Sequence, residues 1–135
     1  MNPHYAEVSQ RAAHRCEYCR APEVIFNFQL EVEHIIPIRH ERIDEQTNLA
    51  LACRSCNIHK ASHLTGFDQI TQRQVRLYNP RLDRWEDHFR VAEETGEILG
   101  KTESGRATVA RLEMNSSTQL SARLQWMRLG LFPSD

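Results

Sequence analysis

Apolar residues recur along this chain with two different periods, and the switching between them lays out an order of elements. Tyr5, Val8 and Ala12 fall at helical spacing, so residues 4–14 are predicted to form a first helix. From Phe26 the period changes. Phe26, Phe28, Leu30 and Val32 alternate with Asn27, Gln29, Glu31 and Glu33, the pattern of a strand with one buried face; it puts Glu33 with the polar face. Pro37 ends or edges that strand, since proline cannot donate into a ladder. Residues 39–47 are polar and read as a loop. Asn48-Leu49-Ala50-Leu51-Ala52 returns as a short apolar segment, and a helix starting near Cys56 carries Asn57 and Lys60, with Gly66 as its stop. A further helix is expected over Phe67 to Tyr78, on Ile70, Val75 and Leu77, until Asn79-Pro80 breaks it. Phe89 to Leu99 reads as two short strands about a turn at Thr95-Gly96. Two helices follow, near 103–114 and 118–129, with Gly130 suited to ending the second. Trp85, Phe89, Ile98, Leu99, Val109, Leu112, Leu120, Leu124 and Trp126 are the expected core of this second half.

Composition narrows the class without naming it. A chain of 135 residues, 40% hydrophobic and 26% charged, suits one soluble domain with a modest core, which a metal would help to staple. No apolar run is long enough to span a bilayer, and no basic segment leads into an apolar one at the N-terminus; a cytoplasmic protein is expected. A net charge of −1 argues against a protein that merely coats DNA, although local phosphate contacts need no basic excess. The densest basic stretch holds Arg73, Arg76, Arg81 and Arg84 against Asp83; it is the candidate for phosphate contact, its alternative being a solvated face.

Four cysteines fall as two pairs, Cys16-x-x-Cys19 and Cys53-x-x-Cys56. A two-residue gap lets one tight turn offer two thiolates to the same ion, and two such knuckles complete the tetrahedron that zinc prefers. A thiol redox role is the competing reading, but neither pair sits in the βαβ unit such a role requires. Between and beside the knuckles stand Glu33-His34, Asn48 and Asn57. Mg²⁺ and its relatives take oxygen ligands, which Glu33 and Asn57 can supply, and a neutral imidazole can take a proton from water. Asn57 also suits a helix N-terminus, where asparagine caps. His59 and His63 share a helical face but have no third ligand.

Arg15-Cys16-Glu17-Tyr18-Cys19, Glu33-His34-Ile35-Ile36-Pro37 and the run from Asn48 through Cys53-Arg54-Ser55-Cys56-Asn57 to Lys60 together resemble the HNH endonucleases, in particular their four-cysteine, zinc-stapled bacterial branch. The resemblance covers residues 4–64. It implies an α+β protein with a ββα-metal core and a structural zinc, followed by a short C-terminal hairpin and helices. It implies His34 as general base, Glu33 and Asn57 as ligands of a catalytic Mg²⁺ or Mn²⁺, and Asn48 as the residue that orients the base. Lys60 would touch phosphate; the local basic excess, not the resemblance, adds Arg76, Arg81 and Arg84 as further nucleic-acid contacts. Glu33 stands where relatives often have Asp, and Ala61 where some add a His, which favours an oxygen-rich site.

The expected organisation is a nuclease core over 1–66 and a C-terminal α+β extension over 67–135, packed as one unit. The expected activity is metal-dependent hydrolysis of DNA phosphodiesters, with RNA left open; cutting of both strands would point to a homodimer or to two successive nicks. The alternative is a non-catalytic zinc module that binds nucleic acid or a protein.

Overall fold

A computed structural model describes residues 2–37 and 45–133. The expected loop over 39–47 falls mostly outside the described residues; within it, Gln46–Asn48 form a single 3₁₀ turn. The architecture is α+β, with three separate two-stranded antiparallel sheets.

The first helix, α1 (Tyr5–Arg11), packs on the first hairpin, β1 (Glu31–His34) with β2 (Leu49–Ala52). Their register sets Glu31 opposite Ala52, Val32 opposite Leu51, Glu33 opposite Ala50 and His34 opposite Leu49. All four residues of β2 are buried, as its unbroken apolar run requires. Helix α2 (Arg54–Lys60) follows directly and lies against β1. It starts earlier than the apolar pattern implies because Cys53 caps it, the sulfur accepting the Cys56 N–H at 3.4 Å.

Two expectations fail in this half. The period-two pattern predicts a strand from Phe26, but only Glu31–His34 pair; Glu23–Ile25 is a 3₁₀ turn. The phase holds at Leu30, which is buried, but fails at Glu33, 6% exposed, and at Phe28, 56% exposed. Glu33 faces inward because Tyr18 and Lys60 supply hydrogen bonds there, which offset the cost of burying a carboxylate.

The predicted helix over Phe67 to Tyr78 is a hairpin, β3 (Thr65–Asp68) with β4 (Arg73–Arg76). Asp68 drives the turn: its carboxylate accepts from the Ile70 and Thr71 backbone and, at 2.7 Å, from the Thr71 hydroxyl. Arg106 then grips the same carboxylate through two nitrogens at 2.8 and 2.9 Å and holds it well below the usual carboxylate range. Ile70, counted as an apolar helix position, sits in the turn at 74% exposure. Gly66 does not stop α2, which ends at Lys60 on the positive φ of Ala61. It sits inside β3, where a Cβ would come within 3.0 Å of the Ala107 carbonyl oxygen, so it is what lets the strand lie on a helix.

After a short helix α3 (Trp85–His88), β5 (Phe89–Ala92) and β6 (Glu97–Gly100) form the third hairpin. Helix α4 (Glu103–Arg111) is capped by the Thr102 hydroxyl and packs on β3 and β6. Helix α5 (Ser117–Arg128) is capped by Ser116. Trp85, Phe89, Ile98, Leu112, Met114 and Trp126 join the first half in one buried cluster. Leu99, Leu120 and Leu124, expected in the core, are only half-buried. In their place α5 buries Gln119 and Arg123, polar residues that no hydrophobic pattern would select.

Candidate functional site

The two knuckles converge. The four cysteine sulfurs lie within 4.8 Å of one another, all four residues are buried, and none is in a disulfide. The Cys19 and Cys53 sulfurs are 3.7 Å apart. A tetrahedron with Zn–S bonds of about 2.3 Å has edges of roughly 3.8 Å, so the donor set fits a zinc ion. Hydrogen bonds with Cys16, Cys19 and Cys53, together with burial, push the Cys56 thiol well above its ordinary value. Four sulfurs so crowded can all become thiolates only around a cation. Among the described residues this is the only group of three or more His, Cys, Asp or Glu side chains able to hold a metal.

The tail of the chain grips this cage. The Trp85 indole donates to the Tyr18 carbonyl at 2.8 Å and Arg15 donates to the Leu131 carbonyl at 2.6 Å. The guanidinium of Arg81 pairs with Glu17 and donates to the Leu49 carbonyl at 3.2 Å. Arg123 is fully buried, its Nη atoms bound to the carbonyls of Gly96 and Met114 at 2.9 and 2.7 Å. Burial pulls the Arg123 pKa down and the four sulfurs push it back up; its Nε is unsatisfied. A zinc tetrathiolate carries two net negative charges, and Arg123 is a cation set beside them.

The second site is an open cleft of about 340 Å³ lined by Val32, Glu33, His34, Pro37, Asn57, Ala61 and Ser62. The strand end supplies Glu33 and His34, and α2 supplies Asn57. Asn57 lies inside the helix and not at its cap, so capping makes no claim on it. Asn48 is buried and clips the chain just beyond His34. Its Oδ1 accepts from Ile36 N at 2.9 Å, its Nδ2 donates to Ile36 O at 2.8 Å, and its carbonyl accepts from Ile35 N at 2.9 Å.

Glu33 has partners on both oxygens: the Tyr18 hydroxyl on Oε1 and Lys60 Nζ on Oε2 at 3.3 Å. Burial pushes its carboxyl up, while Lys60 and Tyr18 pull it back toward the charged form. Each carboxylate oxygen has two acceptor directions, so a second direction on each remains for a cation. Mg²⁺ and Mn²⁺ are commonly held by one or two protein oxygens, with water and substrate phosphate completing the shell; a Glu33 carboxylate and an Asn57 amide oxygen fit that pattern.

Two of the expected phosphate contacts are corrected. Lys60 is 2% exposed and donates to Ile35 O at 2.8 Å as well as to Glu33, so it braces the interior. Arg81 is committed to Glu17 and Leu49 as described. Arg76 is exposed but bound by Asp83 through two hydrogen bonds of 2.7 and 2.8 Å, and Arg84 is exposed. His59 and His63 do not act together: His59 bonds Ser55 O at 2.7 Å, and His63 stands beyond the helix beside Arg111. Sequence reasoning passed over Glu31. Its Oε1 accepts from Asn57 Nδ2 at 2.6 Å, and the available signal was its place two residues before Glu33 on the same strand.

No helix among the described residues is long and apolar enough to cross a membrane. No curated protein and no solved structure matches the chain. Residues 16–63, from the first cysteine to just beyond α2, match the family model of the HNH endonucleases. Over that segment the chain thus matches the HNH endonucleases, and its four cysteines are positioned to form a zinc site as in their zinc-bound branch.

Proposed function

We propose that the protein is a metal-dependent endonuclease that hydrolyses DNA phosphodiester bonds, with His34 as general base. The observation that carries this reading is the convergence of Glu33, His34 and Asn57 on one open cleft within the HNH segment. Glu33 and Asn57 would hold a Mg²⁺ or Mn²⁺ ion, which when bound supplies charge stabilisation at the phosphate and the leaving oxygen. His34 takes the proton of the attacking water as the new P–O bond forms and the bond to the leaving sugar oxygen breaks. Asn48, by clipping Ile35 and Ile36, fixes the backbone from which the imidazole projects. Tyr18 and Lys60 bond one Glu33 oxygen each and hold the side chain in place, so that the cleft is shaped before substrate arrives. With Lys60 and Arg81 turned inward, phosphate contact outside the cleft falls to Arg76 and Arg84. The fully connected Glu33–Tyr18–Lys60 set beside a histidine favours an enzyme over a bare zinc module, which needs neither.

The test is nicking of supercoiled plasmid by zinc-loaded protein with Mg²⁺ and then Mn²⁺. His34→Ala is expected to keep its zinc and its fold and to lose about 10²–10⁴ of the rate. Equal inertness of both proteins on duplex, branched and single-stranded DNA would end the catalytic reading.

A further inference from the structure

We propose that Glu31 is a positioning residue for the divalent-metal site: it holds the Asn57 amide turned so that the oxygen, and not the nitrogen, faces the cleft. This rests on the reading of Glu33 and Asn57 as the ligands.

The geometry is specific. Glu31 and Glu33 are two residues apart on β1 and so share the face that lies against α2. Across the hairpin each meets only an alanine, Ala52 and Ala50, so neither carboxylate is crowded from β2. Glu31 spans two positions of α2 three residues apart. Its Oε1 takes the Asn57 amide nitrogen at 2.6 Å and its Oε2 takes Arg54 Nη1 at 3.1 Å. Glu31 does not line the cleft, whereas Asn57 does.

A primary amide has one donating end and one accepting end, and an ionised carboxylate only accepts. Contact with Glu31 therefore selects one of the two amide orientations. The opposite flip would set two oxygens against each other and aim an NH₂ group at the cation. Hard divalent ions bind the oxygen, so the orientation that Glu31 selects is the one that can ligate. Arg54 ties down the other carboxylate oxygen and keeps Glu31 from swinging into the cleft to ligate directly. Partners that orient a metal ligand in this way are worth about 10–100-fold in affinity.

The experiment is Mn²⁺ binding to the full, zinc-loaded chain, followed by electron paramagnetic resonance, in wild type, Glu31→Gln, Asn57→Asp and the double variant. Glutamine can donate or accept, so Glu31→Gln frees the flip. It is expected to weaken Mn²⁺ about tenfold with zinc content and melting temperature unchanged. In Asn57→Asp both ends of the side chain are oxygen, so no flip is left to select, and Glu31→Gln is expected to cost nothing there. Equal weakening in both backgrounds would make Glu31 a ligand and overturn the proposal. So would no weakening in either, or a loss of Mn²⁺ that tracks a loss of zinc and of melting temperature. Wild-type binding that is absent, or indifferent to Glu33→Ala, would instead remove the metal reading itself, and this proposal with it.

Discussion

The cysteine cage and the cleft proposed to hold a divalent ion differ in how much of their job their own side chains do. The cysteine cage is closed: four buried sulfurs within 4.8 Å of one another supply a complete ligand set by themselves. The cleft is open, and its proposed ligands depend on neighbours. Glu33 leans on Tyr18 and Lys60, Asn57 on Glu31, and the backbone after His34 on Asn48. A closed site holds the fold together, while an open one must keep room for substrate and so borrows its order from around it. Loss of a cage residue should therefore be felt everywhere, and loss of a cleft residue only locally.

The largest expected effect is Cys19→Ser. It should release the zinc and abolish cooperative unfolding, read by metal analysis and circular dichroism, because zinc binding in such domains is itself folding energy. A chelator weak enough to remove only Mg²⁺ or Mn²⁺ should stop cleavage and leave the far-ultraviolet spectrum intact. If Cys19→Ser folded normally, the division between the two sites would collapse.

Lys60→Met sharpens the comparison from the other side. It strands a buried carboxylate and should cost about 3–5 kcal/mol in urea unfolding. Replacing both partners, Glu33→Leu with Lys60→Met, should recover most of that stability and no activity. Were Lys60→Met instead to leave stability alone and flatten the salt dependence of DNA binding, Lys60 would be a phosphate contact after all.

The smallest effect lies at neither site and serves as the control. Arg106 depresses the Asp68 carboxyl, so the native state binds that proton less readily than the unfolded chain does. Its stabilisation is complete above the ordinary aspartate value of about 3.9 and fades as pH falls through the lower folded value. The gap in melting temperature between wild type and Asp68→Asn should stay constant across neutral pH and close only in strong acid. It should leave zinc content and plasmid nicking untouched throughout.

Legibility in the sequence followed the same division. Cys16, Cys19, Cys53 and Cys56 could be read because spacing alone dictates how two knuckles meet one ion. The β5–β6 hairpin and helix α5 could be read because Gly96 and Gly130, both at positive φ, mark a turn and a helix end locally. Glu33 and Lys60 misled, because a charge is assigned to water unless its partner is known, and each is the other's partner across 27 residues. The β3–β4 hairpin misled for a related reason. Its turn is made by Asp68, whose anchor, Arg106, lies 38 residues away.

The grip of Arg81, Trp85 and Leu131 on residues 15–18 has a consequence for anyone who would excise the HNH-like segment. Cutting at residue 66 would retain every motif residue, yet strip the first knuckle of three anchors and the cage of its buried arginine. Residues 16–63 define kinship, but their contacts run on into the second half of the chain. Moving this site into another protein would mean carrying Arg81, Trp85, Arg123 and Leu131 along with the two knuckles.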